Sequence, residues 1–347
     1  SMNMKNEISI ADSLLFRSDA LSKFRNGMRH TIPISTSIKL LKYFTFSPKF
    51  NLTERWYLSQ IEKKWDGDQV IIDTINKFTR AHDYNFSAGL NTKLYGIAQF
   101  KKGKIAAFRH VLTPNLSFSY RPDFSKESFG YYKSVQVDST GNRQTYSIMQ
   151  NGIYGGPGAS RSGSVNFSLG NLIDMKVRSK KDTSQSLKKL TLIQSMGISS
   201  SYNIFADSLN FSTIGLNART KLLGILDLTF SSRYDPYIYK NGRRINQFEM
   251  KNGRLGRFTS ANAAFGFNIS DNTFSKQKEE TKELEEGFYK TPWNLNMNYT
   301  IAYNKNNLPS SEVEPIQSLN FSGNIKITKK WKIGFRSGYD FKEKELT

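Results

Sequence analysis

Trp293-Asn294-Leu295-Asn296-Met297-Asn298-Tyr299-Thr300-Ile301 alternates without a slip: the odd positions are large and apolar, the even ones small and polar. Successive side chains of a strand point to opposite faces, so this stretch makes a strand with one greasy and one wet face. The pattern continues downstream. Leu319, Phe321, Ile325 and Ile327 alternate with Ser318, Asn320, Ser322, Asn324 and Lys326, and Trp331, Ile333, Phe335, Tyr339 and Phe341 follow a tight Lys329-Lys330 turn. Upstream it recurs in Phe44/Phe46/Phe50/Leu52, Tyr84/Phe86/Leu90/Leu94, Leu112/Pro114/Leu116/Phe118/Tyr120, Val165/Phe167/Leu169 and Leu226/Leu228/Phe230.

About twelve such segments span the chain, at 29–41, 44–58, 84–100, 105–121, 163–178, 189–204, 209–221, 224–238, 258–270, 292–304, 317–328 and 331–342. Each is about 10–16 residues, longer than the ~5–6 of soluble strands and matched to a tilted membrane strand. Their polar faces carry Asn, Ser, Thr, Lys and Gly, as a wet lumen does. A soluble sandwich also alternates, with shorter strands whose apolar faces pack on one another. The predicted fold class is therefore all-β, an antiparallel outer-membrane β-barrel.

Connections alternate too. Short turns are expected at 41–43, 101–104, 222–223 and 328–330, and long loops at 59–83, 122–162 and 239–257. Outer-membrane barrels keep short turns on the periplasmic side and long loops outside. That parity makes 122–162 a long extracellular loop and puts the charged insert 276–287, with three Lys and five Glu, on the periplasmic side.

Composition narrows the chemistry. The chain has 347 residues and no Cys, so disulfides, thiolate metal sites and thiol catalysis are absent together. Three histidines, His30, His82 and His110, leave little for a metal centre or a catalytic base. Gly155-Gly156-Pro157-Gly158 lacks the Lys-Ser/Thr of a phosphate loop. No catalytic, cofactor-binding or metal-ligating residue is expected, and no enzymatic activity. The formal charge of +21 admits nucleic acid as a partner. Against it, the aromatic residues fall on the face opposite Lys and Asn, whereas a stacking platform needs both together. Trp56, Trp65, Trp293 and Trp331 fall near segment ends, as an aromatic belt would. Ser1-Met2 reads as an expression remnant, and the chain as an excised piece.

The stretch Arg109-His110-Val111-Leu112-Thr113-Pro114, followed by alternating aromatics to Phe124, resembles the LptD family of outer-membrane lipopolysaccharide-assembly proteins. Gly27–Ser35, Thr53–Tyr57, Ser164–Asn171 and the charged insert before Pro292-Trp293 are similar to it as well. The resemblance implies a very large barrel preceded by a jellyroll domain, with this chain covering the middle-to-late barrel, about half of the strands. The lateral-gate strands are then expected outside these residues. It implies residence in the outer membrane and transport of lipopolysaccharide to the outer leaflet. The implied partners are lipopolysaccharide, outer-membrane lipids, a plug lipoprotein similar to LptE and the periplasmic Lpt bridge; nucleic acid is not among them. Another large barrel, a nutrient transporter or porin, is the nearest alternative, and a soluble basic β-protein binding polysaccharide or nucleic acid the more distant one.

Three residue groups carry the expectation. Asn294, Asn296, Asn298, Asn320, Asn324 and Lys326 should line the lumen, opposite Leu295, Tyr299, Leu319, Phe321, Ile333 and Phe335. Arg109, His110, Leu112 and Pro114 form the family motif. Lys101, Lys102, Lys104, Lys329 and Lys330 should make a basic periplasmic rim, with Lys39, Lys42, Lys180, Lys181, Lys188 and Lys189 nearby.

Overall fold

Backbone pairing follows the alternation. A computed structural model describes residues 1–7, 25–178, 187–222, 224–271, 273, 292–305, 315–328 and 330–346. The strands are β1 (Met2–Glu7), β2 (Arg25–Ser35), β3 (Ile38–Leu40), β4 (Phe44–Trp65), β5 (Val70–Asn91), β6 (Leu94–Gln99), β7 (Ile105–Arg121), β8 (Tyr132–Gln136), β9 (Arg143–Ser147) and β10 (Ser162–Arg178). They continue as β11 (Leu187–Asn203), β12 (Ile214–Leu222), β13 (Leu226–Asp235), β14 (Tyr237–Lys240), β15 (Arg243–Phe248), β16 (Arg257–Ser270), β17 (Trp293–Asn304), β18 (Ile316–Lys326), β19 (Lys332–Asp340) and β20 (Glu345–Leu346). One 16-stranded sheet runs β1-β2-β4-β5-β7-β10-β11-β12-β13-β16-β17-β18-β19-β20, with β3 on β4 and β6 on β7. The small hairpins β8-β9 and β14-β15 stand apart from it. The insert 276–287 and Lys180, Lys181 and Lys329 lie outside the described residues.

The chain divides into two compact units, one of residues 1–90, 116–165 and 203–206, the other of 91–115, 166–202 and 207–347. In the first unit the expected long loop at 59–83 is absent. Both β4 and β5 extend to 22 residues, and a tight turn joins them. Asp66 accepts hydrogen bonds from the N–H groups of Asp68 and Gln69, each at 2.8 Å, while Gly67 takes φ +108°. Sequence reading missed the extension because Glu62, Lys63 and Lys64 break the greasy-polar alternation; the backbone ladder needs no such pattern. Trp56 accordingly lies inside β4, not at its end.

The expected single strands 29–41 and 84–100 are each broken, and by one cause. Proline offers no N–H to the neighbouring strand. The break between β2 and β3 lies at Thr36, whose N–H donates to Pro48 O at 3.2 Å. That between β5 and β6 lies at Thr92, whose N–H donates to Pro114 O at 3.3 Å.

The connection 122–162, between β7 and β10, has structure of its own. It carries the β8-β9 hairpin, and its Phe124, Tyr131, Val135, Tyr146, Ile148 and Met149 form a core with Tyr57 and Ile61 of β4 and Ala81 of β5. Tyr57 pins it: its hydroxyl donates to Gly155 O at 2.7 Å and accepts from Tyr154 N at 3.2 Å. Gly152 is required there, since a Cβ would stand 2.8 Å from the Tyr57 ring. The expected loop at 239–257 likewise contains most of the β14-β15 hairpin and a 3-10 turn.

Candidate functional site: the polar face of the sheet

In the second unit, register sorts the side chains into two faces. Leu295, Met297 and Tyr299 of β17 oppose Ile269, Phe267 and Phe265 of β16 and Gly323, Phe321 and Leu319 of β18. The next strand continues the row, with Ile333 opposite Ile325 and Phe335 opposite Gly323. Gly323 makes room for its neighbour: a Cβ there would fall 2.7 Å from the Phe335 ring. Exposure of this face decides between barrel wall and sandwich. Ile325, Ile333 and Phe335 are 40%, 51% and 50% exposed, so no second sheet among the described residues covers them.

The other face is amide and hydroxyl. Asn294, Asn296 and Asn298 oppose Asn324, Ser322 and Asn320, and Lys326 opposes Lys332. The Asn324 side-chain amide donates to Asn294 Oδ1, and the Thr300 and Ser318 hydroxyls lie 2.6 Å apart. Asn294, Asn296, Asn298, Asn320, Asn324 and Lys326 thus fall on one face of the sheet, opposite the apolar row. Asp227, Asn296, Asn320, Ser322 and Arg336 border a groove of about 490 Å³ there.

The family motif is split by the same alternation. Arg109 falls on the wet side and donates to Asp174 of β10, with Nε at 3.2 Å. Asp174 also accepts from the Thr191 hydroxyl at 2.9 Å and holds Lys189 at 3.4 Å, its own side chain 5% exposed. Three donors converge on one carboxylate, which lets a charge stay buried. His110 points the opposite way, its Nε2 3.0 Å from Asn171 Oδ1. Leu112 pairs with Leu94, and Pro114 stands at the ladder break. Arg109 and His110 thus fasten β7 to β10 on opposite faces of the sheet.

Lys101, Lys102 and Lys104 are exposed in the turn between β6 and β7, and Lys330 is exposed before β19. Lys189 does not belong to a free rim; Asp174 takes it, and Lys39 donates to the Thr45 hydroxyl at 3.0 Å. Arg178 was missed. Its guanidinium caps the Lys101–Lys104 turn by donating to the carbonyls of Phe100, Gly103 and Ile105. Asp174 was missed as well, although an acid at a wet position of a basic, alternating strand is a readable signal. Among the described residues no group of His, Cys, Asp and Glu could hold a metal ion.

Long antiparallel strands, an uncovered apolar face and an amide-lined reverse face define a protein of the transmembrane β-barrel class. A family model described as LptD protein matches residues 1–237, and the chain belongs to that family of outer-membrane lipopolysaccharide-assembly proteins. No curated protein and no solved structure matches the chain.

Proposed function

We propose that the protein resides in the outer membrane and inserts lipopolysaccharide into its outer leaflet, without covalent chemistry. The observation that supports this most is the two-faced sheet within a chain of this family. Apolar side chains from Phe265 to Phe335 face acyl chains, and the Asn294–Asn324 row faces the lumen, where its amides can exchange hydrogen bonds with a hydrated glycan. Connection 122–162 is extracellular and helps to cover the lumen, and the 276–287 insert is periplasmic. Lipopolysaccharide arrives from a periplasmic Lpt bridge, past the Lys101, Lys102, Lys104 and Lys330 rim, and a plug lipoprotein similar to LptE occupies the lumen. No enzymatic activity and no nucleic-acid partner belong to this reading. Depletion of the protein tests it: surface lipopolysaccharide should fall and full-length lipopolysaccharide accumulate inside the outer membrane. Unchanged surface lipopolysaccharide would exclude this function and leave a nutrient transporter or porin.

A further inference from the structure

On the wet face of the second unit, toward the long connections, Arg233 of β13 lies between Gly215 of β12 and Ser260 of β16. Two residues along, Ser231 lies between Asn217 and Asn262. These neighbours are too small to fill the space beside an arginine, and a groove of about 820 Å³ opens over them. Arg244 and Lys305 complete its border, with Asp235 as the only acid among the described lining residues. That acid is already committed, with Arg244 at 3.8 Å and Arg257 at 3.6 Å on its 5% exposed side chain. Arg233 and Lys305 have no carboxylate within ion-pair distance among the described residues. Three cations against one shared carboxylate leave the groove positive.

The lining chemistry selects the ligand. Amides and hydroxyls donate and accept in both directions, as sugar hydroxyls require, and a guanidinium fork matches an oxyanion. Base stacking is unsupported: Tyr303 is the one aromatic among the described lining residues, and its ring is already stacked on Phe258 at 5.5 Å between centroids. The volume falls within the ~300–1,000 Å³ usual for ligand sites. We propose that this groove binds an anionic saccharide, a sugar chain carrying phosphate or carboxylate, with Arg233 and Lys305 on the anion and Asn217 and Asn262 on the hydroxyls. This deepens the transport reading and rests on it: the groove is a station for the glycan on its way out.

The test uses the protein in detergent micelles and acyl-free probes, so that membrane insertion plays no part. A phosphorylated oligosaccharide of otherwise neutral sugars, its phosphatase-treated neutral form, oligogalacturonate and inorganic phosphate are each titrated. Both anionic saccharides should bind, and the neutral form and inorganic phosphate should bind far more weakly. Arg233→Ala with Lys305→Ala should weaken the anionic saccharides about 10- to 100-fold, as loss of charge-assisted hydrogen bonds does. Arg233→Lys should keep much of the affinity. Unchanged mobility of the unboiled protein on gels shows that each variant has folded; if the double variant fails that check, Asn262→Leu, expected to weaken both anionic saccharides, replaces it. Equal binding of neutral and phosphorylated forms, inorganic phosphate binding as well as either saccharide, or a folded double variant with unchanged affinity, overturns the proposal. Loss of surface lipopolysaccharide on depletion alongside such a result would sink the groove and spare the transport function.

Discussion

Asp174 shows how one side chain can hold a wall strand. It collects Arg109, Lys189 and Thr191 from the strands β7 and β11. Asp174→Ala should cost about 1–3 kcal/mol, because partly buried donors lose their acceptor. Arg109→Ala should cost less, since Lys189 and Thr191 remain. Urea midpoints of the refolded variants in detergent check the order; a larger loss for Arg109→Ala would contradict it. Asp138 acts at the same scale outside the wall. The Thr140 hydroxyl and the Asn142 amide donate to it and hold its carboxyl at about 2, below the usual 3.8. A lowered folded-state value means that the carboxylate's contribution is present above pH 3.8 and lost as pH falls through about 2. The β8-β9 turn should therefore keep its amide protection at pH 4 and lose it near pH 2, whereas Asp138→Asn should lack that step in hydrogen exchange.

At the scale of elements, facing and docking are separately testable. Phe321 lies between Met297 and Ser337 on the apolar face, and Asn320 between Asn298 and Gly338 on the wet one. Phe321→Arg should cost about 2–4 kcal/mol and impair assembly, with Asn320→Arg much milder. Folded yield in outer-membrane fractions is the readout, and equal yields would reverse the facing. The 122–162 connection docks through Tyr57. Tyr57→Phe keeps the ring packed but leaves Gly155 O and Tyr154 N without their partner, a loss of about 1–3 kcal/mol. Amide exchange over 150–156 should quicken while the sheet amides stay slow.

For the whole molecule, the exposed lysines of one turn set the prediction. Lys101, Lys102 and Lys104 crowd a turn fastened by Arg178, where like charges repel unless an anion is near. Attraction to an anionic surface is worth ~1 kcal/mol per Lys, so single changes should be silent. Changing all three to Glu should slow the appearance of new surface lipopolysaccharide at unchanged protein level. Normal appearance would reduce these residues to ordinary interfacial lysines. Protease added to intact cells should cut at the exposed Thr140–Arg143 turn and spare 276–287; the reverse pattern would invert the sidedness.

The sequence by itself determined the strand class, the two faces and the family. Period-two alternation is a local property, and register carries it unchanged from Trp293–Ile301 to the pairs of β16 to β19. It also placed β7 (Ile105–Arg121) on its boundaries, because greasy and wet positions there alternate to the end. Only tertiary structure decided the rest. The 22-residue hairpin of β4 and β5 rests on backbone bonds and on a core drawn from 122–162, residues far away in the chain. The breaks at Thr36 and Thr92 come from prolines on neighbouring strands. The Asp174 cluster and the Arg233 groove each gather residues from several strands, and neither can be read from one segment, because alternation gives each side chain a face but not a neighbour.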